Sequence, residues 1–190
     1  MTPLPSPVDW GLLSRAVAFY REEGLIYVET PWLVSRQATR ATLSAGAGVF
    51  SCPAGDLVGS AEQGFIELLL QGALGGSKED IFMSLGPCFR DEPVTFSNHT
   101  HFMKVEMFSR DPSAVCSMVC LAGRFAEEEG IHTSLVPTDE GLDLMTLVGG
   151  LELGSYGLRS ACGHSWAYGT GCAEPRWSSA YKTMRGCNNS

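Results

Sequence analysis

Two β-forming segments on either side of a turn-rich stretch constrain this chain more than any other feature. Ile81-Phe82-Met83-Ser84-Leu85-Gly86-Pro87-Cys88-Phe89-Arg90 is mostly apolar and carries a Gly-Pro step, which predicts a strand with a break. Residues 93 to 98 are rich in turn formers. Phe102-Met103-Lys104-Val105-Glu106-Met107-Phe108 then alternates enough to be the returning strand. An antiparallel hairpin with a long loop is therefore expected, and such a hairpin needs helices packed on it to cover its apolar side.

The helices are legible from their ends. Asp9 is placed to cap a helix from Trp10 to Glu23 with an apolar stripe of Leu12, Leu13, Ala16, Val17 and Phe19, and Gly24 stops it. Leu25 to Thr30 is rich in β-formers and ends at Pro31. Residues 39 to 55 are dominated by Ala, Gly, Ser and Thr, which predicts a loop with a short strand near Val49 and Phe50, flexible enough to serve as a lid. Ser60-Ala61-Glu62-Gln63 has capping-box spacing and opens a helix to about Gln71. Asp111-Pro112 and Gly130 bracket a third helix. Strand-like segments follow at 131 to 137, 142 to 148, 150 to 157 and 165 to 169, and a last helix is expected from Pro175 to about Met184. The expected class is α+β: one domain over residues 1 to 190, an antiparallel sheet flanked by helices.

Composition narrows the function. The chain has 190 residues, 44% hydrophobic and 18% charged, a globular balance. Its formal charge of -8, with only 13 Lys and Arg and no cluster of them, disfavours extensive binding to a phosphate backbone. No apolar stretch approaches the ~20 residues of a membrane span, and the first residues lack a secretory pattern, so a cytoplasmic protein is expected. Seven scattered cysteines make no disulfide framework. Cys162, His164 and Cys172 do not have the paired Cys-x-x-Cys spacing of structural zinc, so zinc is not expected.

Three segments carry chemistry. Gly86-Pro87-Cys88-Phe89-Arg90-Asp91-Glu92, with the returning His101-Phe102-Met103-Lys104-Val105-Glu106-Met107-Phe108, resembles the second signature motif of the class II aminoacyl-tRNA synthetases, and its Phe-x-Lys-Val-Glu core is similar to seryl-type members. Tyr168-Gly169-Thr170-Gly171-Cys172-Ala173-Glu174-Pro175-Arg176 resembles the third motif, a Gly-rich strand leading into a helix that carries an arginine; Pro175 departs from the family pattern. Leu151-Glu152-Leu153-Gly154-Ser155-Tyr156-Gly157-Leu158-Arg159 resembles the strand before that motif in aspartyl-type enzymes and in ammonia-dependent asparagine synthetase. Upstream, Gly24 to Pro31 resembles the first motif, and Leu57-Val58-Gly59-Ser60-Ala61-Glu62 resembles the Thr-x-Glu element that binds the amino acid.

The resemblance implies an adenylate-forming ligase using ATP and Mg²⁺. An enzyme that joins a carboxylate to the α-phosphate must hold two anions together, which suits a planar guanidinium. Arg90 takes that role and Arg176 the terminal phosphates. Glu92 would accept from the adenine amino group, Phe102 would stack on the ring, and Gly171 would let backbone approach the nucleotide. Glu152 would hold the metal. Ser60, Glu62, Glu106 and Ser155 would bind the amino acid, with Arg159 supporting. His99 and His101 fall in the loop over ATP. The first motif implies a homodimer through residues 10 to 31. No anticodon-binding domain is expected, so the acceptor is open. Alternatives are an amide-forming ligase in which Arg159 or Lys104 faces the substrate side chain, and a non-catalytic paralogue that binds ATP or an amino acid.

Overall fold

The computed structural model describes residues 8–43, 47–91 and 99–187, the last four by backbone alone. In chain order the elements are α1 (Trp10–Glu22), β1 (Ile26–Tyr27), β2 (Leu33–Val34), α2 (Arg36–Arg40), β3 (Ser51–Cys52), β4 (Gly55–Leu57), α3 (Ala61–Leu70), β5 (Ile81–Phe89) and β6 (His101–Ser109). They continue with α4 (Ala114–Glu128), β7 (Thr133–Thr138), β8 (Gly141–Thr146), β9 (Glu152–Ala161), β10 (His164–Glu174) and α5 (Arg176–Cys187). The architecture is α+β. A seven-stranded sheet runs β1-β5-β6-β10-β9-β8-β7, antiparallel apart from the β1 and β5 pair, and a small sheet runs β2-β4-β3.

The strands alternate between two covered faces, because successive side chains point to opposite sides. One face meets α1, α4 and α5: Met83, Val105, Met107, Tyr156, Ala167 and Cys172 pack with Leu12, Leu13, Tyr20, Phe125 and Trp177. The other face meets α3, where Phe82, Phe108, Trp166 and Tyr168 pack with Phe65 and Ile66. Phe65, Phe108 and Trp166 form a stacked series with centroid separations of 4.9 and 6.2 Å. The site lies on this second face, beyond the aromatic series.

The helix ends follow from their caps. Leu12 N–H donates to Asp9 Oδ1 at 2.9 Å, and Gly24 leaves α1 at φ +90°, a conformation glycine adopts without strain. Ser60 caps α3, but the backward reach is made one residue earlier than a capping box has it: Gly59 N–H donates to Gln63 Oε1 at 2.7 Å. Helix α4 begins at Ala114, because Asp111 first folds a turn by accepting from the Ser113 amide and hydroxyl at 2.9 and 2.6 Å.

Elsewhere the structure differs from the sequence expectation. Strand β5 runs unbroken through Pro87, which pairs with Met103 of β6. On the other side β1 reaches only Phe82 and Met83, so Pro87 has no strand partner there and the proline breaks no ladder. Within residues 39 to 55, expected as a loop with a short strand near Val49 and Phe50, the strand is β3 at Ser51–Cys52, paired with β4; α2 and β2, which begin before this stretch, are too short for periodicity to register. No described helix is long and apolar enough to cross a membrane.

Candidate active site

A cavity of about 420 Å³ opens over β5, β6, β10 and β9 and is walled by α2, the segment after it and the start of α3. Its volume falls within the range of small-molecule sites. Arg90 and Arg176, 86 positions apart in the sequence, both line it. The end of β5 delivers Arg90, whose guanidinium lies 5.0 Å from the Phe102 ring centroid on the facing strand and whose Nε–H donates to Gly59 O at 3.4 Å. The first turn of α5 delivers Arg176, which donates to Glu152 Oε1 at 2.7 Å. No Arg90 ion pair with a carboxylate is present among the described residues.

The opposite end is a floor of paired charges. Glu62 is buried and has both oxygens engaged: Arg159 reaches Oε2 at 2.5 Å and the Trp166 indole N–H donates to Oε1 at 2.6 Å. Arg159 in turn lies 4.0 Å from the Tyr168 ring centroid. Burial pushes the Glu62 carboxyl above its ordinary range; Arg159 pulls the other way and Glu106 adds to the rise. Beside this group, Lys104 Nζ sits 2.9 Å from Glu106 Oε2, which also accepts from the Ser60 hydroxyl. Glu106 is fully buried, and its Oε1 has no partner among the described residues. Under the floor, burial pushes the Cys88 thiol up to about 12, so it stays protonated.

Of the residues singled out by sequence, Ser60, Glu62, Arg90, Phe102, Glu152, Ser155, Arg159, Arg176 and His99 line the one cavity. Glu106 lies beneath it. His101 is exposed on β6, and Glu92 lies outside the described residues. Gly171 does not reach the cavity: an added Cβ would sit 2.8 Å from Tyr20 Cε2 and 3.0 Å from Val105 Cγ1, on the opposite face. Cys162 and His164 are exposed at one end of the β9 and β10 hairpin, whereas Cys172 is buried among the helices.

Several lining residues were not singled out. Gln63 ties two walls together, because its amide N–H donates to Thr42 Oγ1 at 3.0 Å while its oxygen holds Gly59. Glu174 lines the cavity too, but its oxygens accept from Ser178 and from the Asp9 amide. Lys104, named from the sequence as a residue facing the substrate side chain in the amide-forming alternative, also lines the cavity and is paired there with Glu106. Tyr168 and Thr170 carried no such signal. Gly48 pairs with Asp91 across the mouth; an added Cβ there would meet Asp91 O at 2.5 Å.

No protein-family profile and no curated protein matches the chain. Solved structures do. A pyrrolysyl-tRNA synthetase from Desulfitobacterium hafniense superposes with a TM-score of 0.72 over 90% of this chain at 17% identity. The fold is that of a class II synthetase catalytic core. Seryl-tRNA synthetases share this synthetase-like core: that of Pyrococcus horikoshii complexed with ATP has a TM-score of 0.71, 17% identity and 92% coverage of this chain. The cytoplasmic serine-tRNA ligase of Naegleria fowleri in complex with AMP has 0.67, 15% and 87%. The chain spans 68% of the pyrrolysyl structure and under half of the seryl ones, 49% and 46%. At these identities the likeness is one of fold, and the ATP and AMP are those of the seryl enzymes.

Proposed function

We propose that the protein activates an amino acid or a similar small carboxylate as its acyl-adenylate at the expense of ATP. The observation that carries this reading is the convergence of Arg90 and Arg176 on one cavity, with Phe102 beside the first and Glu152 beside the second. The substrate carboxylate oxygen attacks the α-phosphorus, the bond from that phosphorus to the bridging oxygen breaks, and pyrophosphate leaves. Arg90 holds the two anions together and offsets the charge that builds between them. Arg176 holds the terminal phosphates. Phe102 offers its ring to the adenine, and Glu92 is the proposed acceptor for the adenine amino group.

Glu152 fits a magnesium site. Its side chain is 40% exposed and one oxygen is taken by Arg176, which leaves the other as a hard donor facing the cavity. Magnesium is commonly held by one or two carboxylates with phosphates and water, so one protein ligand is sufficient. When bound, it would neutralise charge on the phosphates.

The amino-acid end is the charged floor, formed by Ser60, Glu62, Glu106 and Ser155. Both Glu62 oxygens are committed to protein donors, so the proposed acceptor for an α-ammonium group is Glu106 Oε1, which is buried beneath the floor and has no partner among the described residues. Arg159 then supports Glu62. A homodimer through residues 10 to 31 is consistent with the shallow groove formed by Trp10, Ser14, Val17, Arg21, Tyr27 and Leu85. The acceptor of the acyl group is open: the net charge of -8 argues against an extensive grip on tRNA.

ATP–pyrophosphate exchange across the twenty amino acids tests this reading. Exchange with one amino acid that is lost in Arg90→Ala is the expected result. ATP binding without exchange for any amino acid would favour a binding paralogue, and absence of ATP binding would sink the reading.

A further inference from the structure

Strand β10 changes phase in the middle of the site. Trp166, Tyr168 and Thr170 point to the cavity face, and Ala167, Gly169 and Gly171 to the face covered by α1 and α4. Strict alternation would return Cys172 to the cavity. Instead Thr170 pairs with Glu106 and Cys172 with the next β6 residue, Val105, so Gly171 is an extra residue, a β-bulge. Cys172 therefore stays in the helix-covered core, and Ala173 faces the cavity just before Arg176.

The bulge leaves polar backbone to satisfy. Pairing of β10 with β9 ends at Gly169 opposite Tyr156, so Thr170 and Gly171 have no strand partner on that side. Their carbonyls are buried, and an unpaired buried carbonyl is costly. Two tyrosine hydroxyls from different elements fill the need. Tyr156 of β9 donates to Thr170 O at 2.5 Å, and Tyr20 of α1 donates to Gly171 O at 2.9 Å. Both rings are fully buried, and burial drives both phenols well above their ordinary range, so both stay protonated donors. Gly171 is glycine because the Tyr20 ring occupies the space of a side chain.

We infer that Tyr20 and Tyr156 are positioning residues that lock the β10 bulge, and through it set Ala173 and Arg176 toward the cavity. Helix α1 thereby supports the phosphate end of the site, although none of its residues lines the cavity. A second tie runs the same way: the Asp9 amide at the start of α1 donates to Glu174 Oε2 at 3.1 Å. A one-residue slip of β10 would turn Cys172 into the cavity and Ala173 into the core, since the side-chain period is two. The inference rests on the proposed ATP site for its consequence, and on the strand register for the lock itself.

The test uses Tyr20→Phe, with Tyr156→Phe as the second variant should the first fail to fold. N-ethylmaleimide labelling followed by peptide mass spectrometry reads Cys172, with the exposed Cys52, Cys116, Cys120 and Cys162 as internal references. ATP affinity is read by titration on the same samples, with far-UV circular dichroism as a check on folding. The expected result is at least tenfold faster labelling of Cys172, with ATP protecting it, and roughly tenfold weaker ATP binding. Unchanged labelling of Cys172 in both variants would overturn the lock, even if melting temperatures fall. Faster labelling with unchanged ATP affinity would overturn the link to Arg176. If the wild-type protein binds no ATP, the adenylation reading fails, while Cys172 labelling still decides the lock.

Discussion

The indole N–H of Trp166 donates to Glu62 Oε1 at 2.6 Å, so a carboxylate at the start of α3 is held by a side chain 104 positions later on β10. With Arg159 on the other oxygen, this makes Glu62 part of the wall. The floor of the cavity is thus a preformed polar network, whose members are expensive to strip of partners.

Trp166→Phe removes the donor and leaves a buried carboxylate oxygen unpaired. A destabilisation of about 1–3 kcal/mol is expected, read from urea unfolding. Because Glu62 and Arg159 hold one another, binding of the proposed carboxylate substrate should weaken along with stability.

Lys104→Met breaks the ion pair with fully buried Glu106 and leaves that charge facing only the Ser60 hydroxyl. Loss of one partner of a buried pair typically costs about 3–5 kcal/mol. Adding Glu106→Gln removes the orphaned charge, and the double variant should regain part of the loss in a double-mutant cycle.

Acid stability depends on Glu129, which the Arg15 guanidinium and the Tyr181 hydroxyl hold below the ordinary glutamate range. In the unfolded chain this carboxyl binds a proton at higher pH than in the folded one. Its contribution is therefore present above the unfolded value of about 4.3 and lost as pH falls through the lower folded value. Glu129→Gln should flatten the decline of the urea midpoint below about pH 5, leaving the neutral range less affected by pH. Buried Glu62, whose carboxyl is raised, acts with opposite sign: proton uptake on folding lets it gain stability as pH falls. An acid limb as steep in Glu129→Gln as in the wild type would contradict this assignment.

Gly48→Ala places a Cβ 2.5 Å from Asp91 O and should part the two segments that meet at the cavity mouth. The isolated bridge lies outside the core, so a melting temperature within a few degrees of wild type is expected, together with weaker ATP binding. Unaltered nucleotide affinity would show that the bridge does not shape the site.

Part of this protein was legible before its structure. The β5 and β6 hairpin and the caps of α1 and α3 follow from neighbours a few positions apart, because turn chemistry, capping and periodicity act over one or two turns of chain. The α+β class follows on that basis, whereas Arg90 and Arg176 were singled out by the resemblance of their segments to the class II signature motifs. What sequence did not show were the short α2 and small sheet, the Trp166 contact and the bulge that turns Gly171 away from the cavity.

The amino-acid sequence alone determined the covering helices, the antiparallel hairpin and the types of side chain available for the site. Tertiary structure decided which of them meet: Glu62, at the cavity, found Arg159 and Trp166 as partners, and a single extra residue in β10 chose which side chains face the cavity. The reason is physical. Local propensities act on adjacent residues, whereas buried charges and unpaired carbonyls are satisfied by whatever donor the folded chain brings within about 3 Å, irrespective of distance in sequence.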